Sequence, residues 1–328
     1  MSEIRSVDLV IPLYDEEDTL PGLIERLRSE LADLAIPWRA ILVDDGSRDR
    51  SWQIVAAAAA EDPRFHGIRL ARNCGQHAAV FAGFSRCEAD AVVTLDADLQ
   101  NPPSEIPRLL ASLETGYDVV GGWRRDRHDS APRRAASRWM NRLVSRATGV
   151  PLRDYGCMLR AYRIEVVRAM RECNEVSSYV PALAHCFTDR IAEIPVAHAE
   201  RAAGRSRYNL LRLVDLLLDL LTGFSMLPLR LLTLFGFGMA AAGIGFGAFL
   251  LVMRFHFGSA WAAEGVFTLF ALLFAFVGAQ FVALGVLGEY IGRIYDEVRR
   301  RPQYVVRCET ARAAGARGGE ARVARTGS

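Results

Sequence analysis

Apolar positions fall into two regimes along this chain. Through the first two hundred or so residues, short apolar runs of strand length alternate with segments of helical spacing. The pattern predicts a strand over Val7–Leu13, a helix over Leu20–Leu34, a strand over Ala40–Val43, a helix over Ser51–Ala60 and a short strand over Ile68–Leu70. A further run, Ala91–Leu95, reads as a buried strand. Strands alternating with helices imply parallel pairing through crossover helices.

The second regime begins near Leu231. From Leu231 to Met253 and from Gly265 to Gly288 no residue carries a formal charge, and each run is long enough to cross a hydrocarbon core of roughly 30 Å as a helix. Arg230 and Arg254 bracket the first run, Glu264 and Glu289 the second. Tyr208–Met226 reads as a helix lying on a membrane, because Arg212, Asp215 and Asp219 share one face among leucines. Glu289–Arg301 is similarly amphipathic. The expected organisation is a soluble α/β domain over residues 1–206, a juxtamembrane helix over 207–230 and spans over 231–253 and 265–288. A periplasmic loop over 254–264 joins the spans, and residues 289–328 form a juxtamembrane helix with a disordered tail.

Charge sets the orientation. The connection Arg254–Glu264 has one Arg, whereas Arg293, Arg299, Arg300, Arg301 and Arg307 cluster after the second span, as on a cytoplasmic flank. The expected location is the bacterial inner membrane, with the soluble domain and both termini in the cytoplasm. No apolar segment of signal-peptide type follows Met1–Arg5, and the six cysteines form no C-x-x-C pair and no Cys/His cluster, so a reducing compartment is expected. The formal net charge of +2 makes no case for nucleic acid. Glycines at 236, 238, 243, 245 and 247 allow close helix approach, which is consistent with a homo-oligomer.

The chemistry concentrates where strands end. Asp96-Ala97-Asp98-Leu99-Gln100 follows the run Ala91–Leu95, and carboxylate and carbonyl oxygens are what Mg²⁺ or Mn²⁺ prefers when shared with phosphates. Such triplets also occur on ordinary surface loops. The position at the carboxyl end of a strand is where open α/β sheets bind ligands. Asp44-Asp45-Gly46-Ser47 and Ile11-Pro12-Leu13-Tyr14-Asp15-Glu16-Glu17 supply two more strand-end turns on the same edge, so a nucleotide site is expected there. His77, His185 and His198 show no metal-ligand spacing, and Cys157 reads as a packing residue.

The segments IPLYDEE (11–17), VDDGS (43–47), RNCGQHAAVFAGF (72–84) and DADLQNPPSEIP (96–107) together resemble the family 2 glycosyltransferases of GT-A fold. The paired spans add a resemblance to the polyprenyl-phosphate branch. RDYGCMLRAYR (153–163), AEIPVAHAER (192–201) and the stretch 261–304 narrow it to members that move 4-deoxy-4-formamido-L-arabinose from UDP to undecaprenyl phosphate in lipid A modification. The resemblance runs from about Ser6 to Tyr304. Asp15 stands where the family usually has Asn, and Arg207 where a Lys is usual. The resemblance implies that Pro12, Tyr14, Glu16, Asp44 and Asp96 hold the nucleotide and ribose, and that Asp98 and Gln100, beside Asp96, hold Mg²⁺ or Mn²⁺. It implies a catalytic part for Asp98 and for Asp154, the latter as base or as positioner. Arg124, Arg133, Ser137, Arg201 and Arg207 are implied as contacts for the lipid phosphate. A processive synthase is disfavoured, since Ser137-Arg138-Trp139 lacks the Gln of Q-x-x-R-W. Other polyprenyl-phosphate hexosyltransferases, moving glucose, mannose or galactosamine, and a non-enzymatic lipid carrier remain as alternatives.

Overall fold

A computed structural model of the chain describes residues 3–124, 157–173, 180–197, 227–257, 266–299 and 302–310. The strands are β1 (Val7–Leu13), β2 (Trp38–Asp44), β3 (Phe65–Leu70), β4 (Ala91–Thr94), β5 (Val119–Arg124), β6 (Arg160–Arg163), β7 (Ile191–Val196) and β8 (Val306–Glu309). They form one sheet in the order β7-β5-β6-β4-β1-β2-β3-β8. β1, β2, β3 and β4 are mutually parallel, as is β5 with β7, whereas β6 runs antiparallel to β4 and β5, and β8 antiparallel to β3. This is the mostly parallel α/β sheet that the alternating pattern implies.

Both faces of the parallel half are covered, which is why its strands are near-continuous apolar runs. Helices α1 (Leu20–Glu30), α2 (Ser51–Glu61) and α4 (Ile106–Glu114) pack one face through Leu23, Leu27, Val55, Leu109 and Leu113. Helices α3 (Gln76–Phe84) and α5 (Ile164–Glu172) pack the other through Val80, Phe84, Val167 and Met170. Gly83 lets α3 lie close on the sheet, since a Cβ there would meet Val10 Cγ1 at 2.3 Å.

The chain builds β1, β2 and β3 outward in one direction and then places β4 on the other side of β1. The point between β1 and β4 is therefore the topological switch, where the carboxyl ends of strands open a crevice. Pro12 is compatible with this central strand because β4 pairs with β1 only as far as Val10–Thr94, so its missing N–H faces beyond the end of β4.

Three sequence expectations change. α1 ends at Glu30 rather than Leu34, where Leu31 leaves helical geometry and a turn leads to Pro37. The second apolar segment and the start of the expected juxtamembrane helix are one continuous helix, Val266–Val298. The segment 289–328 also contains β8, so it is more than a helix and a tail. The predicted helix over Tyr208–Met226 lies outside the described residues.

Helices Leu227–Phe257 and Val266–Val298 contain stretches long and apolar enough to cross a membrane, Leu229–Leu250 and Ala275–Gly292. Neither stretch is buried by the protein, and Phe237, Ile244, Phe255 and Phe281 expose 70% or more of their surface. Apolar side chains so exposed are out of place in water and match a lipid solvent.

Candidate active site

Three turns converge at the switch point. The first follows β1. Asp15 has a φ of 53°, in the left-handed region that Asn and Asp tolerate better than most residues, so Asp for Asn here preserves the backbone preference. Its amide donates to Ser47 Oγ at 2.9 Å and its Oδ1 accepts from the Arg48 amide at 2.8 Å. Glu16 donates its amide to Ser51 Oγ at 2.9 Å and accepts the Thr19 hydroxyl at 2.7 Å, which fixes the entry to α1. Tyr14 is half-buried beside them, while Pro12 is buried within β1.

The second turn follows β2. Asp44 is fully buried: its Oδ1 accepts the Ser47 amide at 2.8 Å, and its Oδ2 lies 3.2 Å from Arg69 Nε. Arg69 also donates to the Ser47 carbonyl at 3.0 Å, so one guanidinium braces both ends of the turn. A buried carboxylate needs such a partner. Asp45 points toward the third segment and accepts the amides of Cys74 at 2.7 Å and Gly75 at 2.8 Å. Burial holds the Asp45 carboxyl above the usual carboxylate range, against the pull of those two amides and with a further upward push from Asp44. Gly46 has a φ of 74°, and a Cβ there would lie 2.7 Å from the Arg72 carbonyl carbon. The turn and the segment 72–75 therefore touch backbone to backbone.

The acidic turn follows β4. Asp96, Asp98 and Gln100 are half-buried, and the Gln100 amide donates to Asp98 Oδ1 at 3.2 Å. Leu99 has a φ of 63°, a left-handed conformation that costs about 1–2 kcal/mol in a residue of its kind. The turn carries that cost as it reverses direction, and buried Ala97 separates its two carboxylates in sequence. Gln76, the first residue of α3, donates its side-chain amide to Asp96 Oδ1 at 2.6 Å.

Of the nucleotide and metal candidates, Tyr14, Glu16, Asp96, Asp98 and Gln100 thus lie on strand-end turns, with Pro12 and Asp44 in the last two residues of β1 and β2 that lead into them. The carboxylate of Asp44 faces inward, where it builds its turn. Arg124 is the final residue of β5, on the same edge of the sheet. Asp154, Arg133, Ser137, Arg201 and Arg207 lie outside the described residues. Sequence reasoning passed over Asp45, Arg69 and Gln76. Asp45 and Gln76 stood inside quoted motifs, but their partners lie 29, 30 and 20 residues away and become visible only when β2, β3 and β4 are assembled around β1 in one sheet. His77 and His185 are each held at about 4 by burial and are therefore neutral near pH 7. Cys157 is buried in the core, as a packing residue would be.

Comparison with known proteins agrees with this geometry. Residues 8–171 match the family model of glycosyl transferase family 2. A protein of Shewanella sediminis named undecaprenyl-phosphate 4-deoxy-4-formamido-L-arabinose transferase is 53% identical over 304 residues, covering 92% of each chain. A protein of the same name from Proteus mirabilis is 53% identical over 305 residues, covering 93% of this chain and 94% of its own. Among solved structures, glucosyl-3-phosphoglycerate synthase of Mycobacterium tuberculosis with phosphoglyceric acid superposes with a TM-score of 0.50 at 20% identity, over 67% of this chain and 80% of that one. The same enzyme with Mn²⁺ and UDP-glucose gives 0.50 at 19%, over 67% and 79%. With its GT-A sheet, the chain belongs to glycosyltransferase family 2, in the group of undecaprenyl-phosphate 4-deoxy-4-formamido-L-arabinose transferases.

Proposed function

We propose that this glycosyltransferase moves 4-deoxy-4-formamido-L-arabinose from its UDP donor to undecaprenyl phosphate, inverting the anomeric centre, with Mg²⁺ or Mn²⁺ as cofactor. The observation that carries the reading is the meeting of the Asp96–Gln100 turn with the Asp44–Ser47 turn and the segment 72–76 at the switch point. It gains weight from relatives about half identical over more than nine tenths of the chain that bear this activity in their names.

The donor set fits a hard divalent ion: Asp98, with Asp96 and the Gln100 amide oxygen, offers oxygen ligands only, and Gln76 aims Asp96. Such an ion, when bound, offsets the negative charge that grows on the departing diphosphate. The ends of β1 and β2 and the turns after them, carrying Pro12, Tyr14, Glu16 and Asp44, would form the floor on which uridine lies. The acceptor phosphate is already anionic at neutral pH, so its oxygen can attack the sugar carbon without a strong base. Arg124, Arg133, Ser137, Arg201 and Arg207 supply the cationic and hydroxyl contacts such an acceptor needs. Asp154 acts as base or as positioner.

The two apolar helices would anchor the enzyme in the inner membrane. β8, which follows the second helix, pairs with the same sheet that precedes the first, and this supports a hairpin with both flanks on the cytoplasmic side. The product would supply lipid A modification, which lowers outer-surface negative charge and with it the binding of polymyxin and cationic peptides.

The test is a donor panel with purified full-length enzyme and undecaprenyl phosphate, following UDP release. The formamido-arabinose donor should be used far faster than UDP-linked glucose, mannose or galactosamine. EDTA and Asp98→Asn should each remove about 3 kcal/mol or more of transition-state stabilisation, a loss of over a hundredfold in rate. Preference for a hexose donor would change the sugar assignment. Full turnover in EDTA would overturn the metal assignment, and no UDP release with any donor would leave a carrier.

A further inference from the structure

The chain does not end its structural work at the membrane. Residues 299–305 connect the second apolar helix to β8, so the helix end lies within about 30 Å of the sheet edge even if that link is fully extended. β8 pairs antiparallel with β3, Ile68 opposite Glu309 and Leu70 opposite Val306, with a register shift between Arg69 and Leu70. Side chains reinforce the edge. Thr310 donates its amide to the Gly67 carbonyl and accepts the Gly67 amide on Oγ1, both at 2.9 Å. Glu309 receives Arg86 Nη2 at 2.6 Å and lies 3.5 Å from His66 Nε2. The Arg86 guanidinium holds the Glu309 carboxyl below its usual range. Tyr304 and Val306 pack against the core that contains α3.

The last bond of this edge is the informative one. The Ala71 amide donates to the Val305 carbonyl at 2.8 Å. Ala71 is immediately followed by the segment 72–75 that Asp45 clamps, and then by Gln76, which holds Asp96. An unbroken series of bonds runs from the membrane exit through Val305 and Ala71 to the acidic turn.

We propose that Tyr304–Thr310 is a positioning strap: by pairing with β3 it fixes Ala71 and the segment 72–76, and so sets the affinity of the site for the nucleotide diphosphate donor. The strap makes donor binding depend on attachment to the membrane hairpin. This rests on the donor-site reading above, which UDP binding by the wild-type enzyme tests separately.

The experiment uses the full-length enzyme in lipid nanodiscs, with Arg86→Glu, Glu309→Arg, the charge-swapped double variant and the milder Thr310→Val. Calorimetry with UDP and Mn²⁺ and kinetics for both substrates are read beside hydrogen exchange at the Ala71 and Gly67 amides. Each single charge reversal should speed exchange at Ala71 and weaken UDP binding about tenfold, with the KM for undecaprenyl phosphate unchanged. The double variant should recover UDP affinity to within about threefold. Fast exchange at Ala71 with wild-type UDP affinity would overturn the proposal, as would equal loss of both substrates in Thr310→Val. If wild-type enzyme fails to bind UDP with Mn²⁺, the donor-site reading fails first.

Discussion

The side-chain amide of Gln76 reaches across from the first turn of α3 to the carboxylate of Asp96, 2.6 Å away. Gln76 belongs to the segment that follows β3 and Asp96 to the turn after β4, so this bond joins two elements on opposite sides of β1. Gln76 is exposed, so water competes for this bond and it contributes about 0.5–1 kcal/mol, less than the same bond would if buried.

Gln76→Ala should therefore lower kcat/KM for the donor about 2–5-fold while the protein stays folded and membrane-bound. Gln76→Glu should be worse, because it sets a carboxylate against a carboxylate. Metal titrations of activity distinguish this from a packing effect: the apparent metal affinity should fall in both variants. An unchanged metal titration would show that the Gln76 bond does not orient Asp96 for the ion.

Gly46→Ala tests the contact between the turn after β2 and the segment 72–75. The substitution meets both a left-handed φ of 74° and the Arg72 backbone at 2.7 Å, so no rotamer change can relieve it. A cost of about 2–3 kcal/mol is expected, seen as a fall in Tm of roughly 5–10 °C. UDP affinity should fall at least tenfold with it. Lowered Tm with intact UDP affinity would mean that the two walls can separate without disturbing the site.

How far the sequence reveals this site follows from the range of its contacts. The strands β1, β2 and β4 and their turns are legible, because each is an apolar run ended by polar residues within a few positions. The GT-A half of the sheet around Asp44 and Asp96 follows from those runs and from crossover handedness. β6 is not legible, since Arg160-Ala161-Tyr162-Arg163 places an Arg at each end of a strand that is nonetheless buried. β8 is four residues, Val306-Arg307-Cys308-Glu309, too short for a period to register, and its partner β3 lies more than two hundred positions earlier. Arg69 reads as an ordinary charge in a short strand until β3 is placed beside β2, where it meets Asp44.

Arg133→Ala addresses the acceptor. If Arg133 contacts the lipid phosphate, its removal touches one substrate only. The KM for undecaprenyl phosphate should rise about tenfold or more, as loss of one charged contact of 1.5–3 kcal/mol requires, with UDP affinity by calorimetry nearly intact. Ser137→Ala should act in the same direction and less strongly. Parallel loss of UDP binding would instead assign Arg133 to folding or to the nucleotide.

The anomeric outcome tests the reaction path and the role of Asp154 together. Direct attack by the lipid phosphate needs no enzyme nucleophile, so the configuration at the sugar carbon should invert and no glycosyl-enzyme should accumulate with donor alone. Proton NMR of the purified product reads the first point, and mass spectrometry of donor-treated protein the second. If Asp154 positions substrate, Asp154→Asn should slow transfer while leaving the product anomer and the pH optimum in place. If it is a general base, the acidic limb of the pH–rate profile should vanish in the variant, because that limb reports protonation of the missing carboxylate. A retained configuration would overturn in-line displacement, which inverts, and would leave a double displacement or a same-face attack. Asp154 would then be the first residue to examine as nucleophile, by trapping the intermediate in wild-type enzyme and seeking its loss in Asp154→Asn.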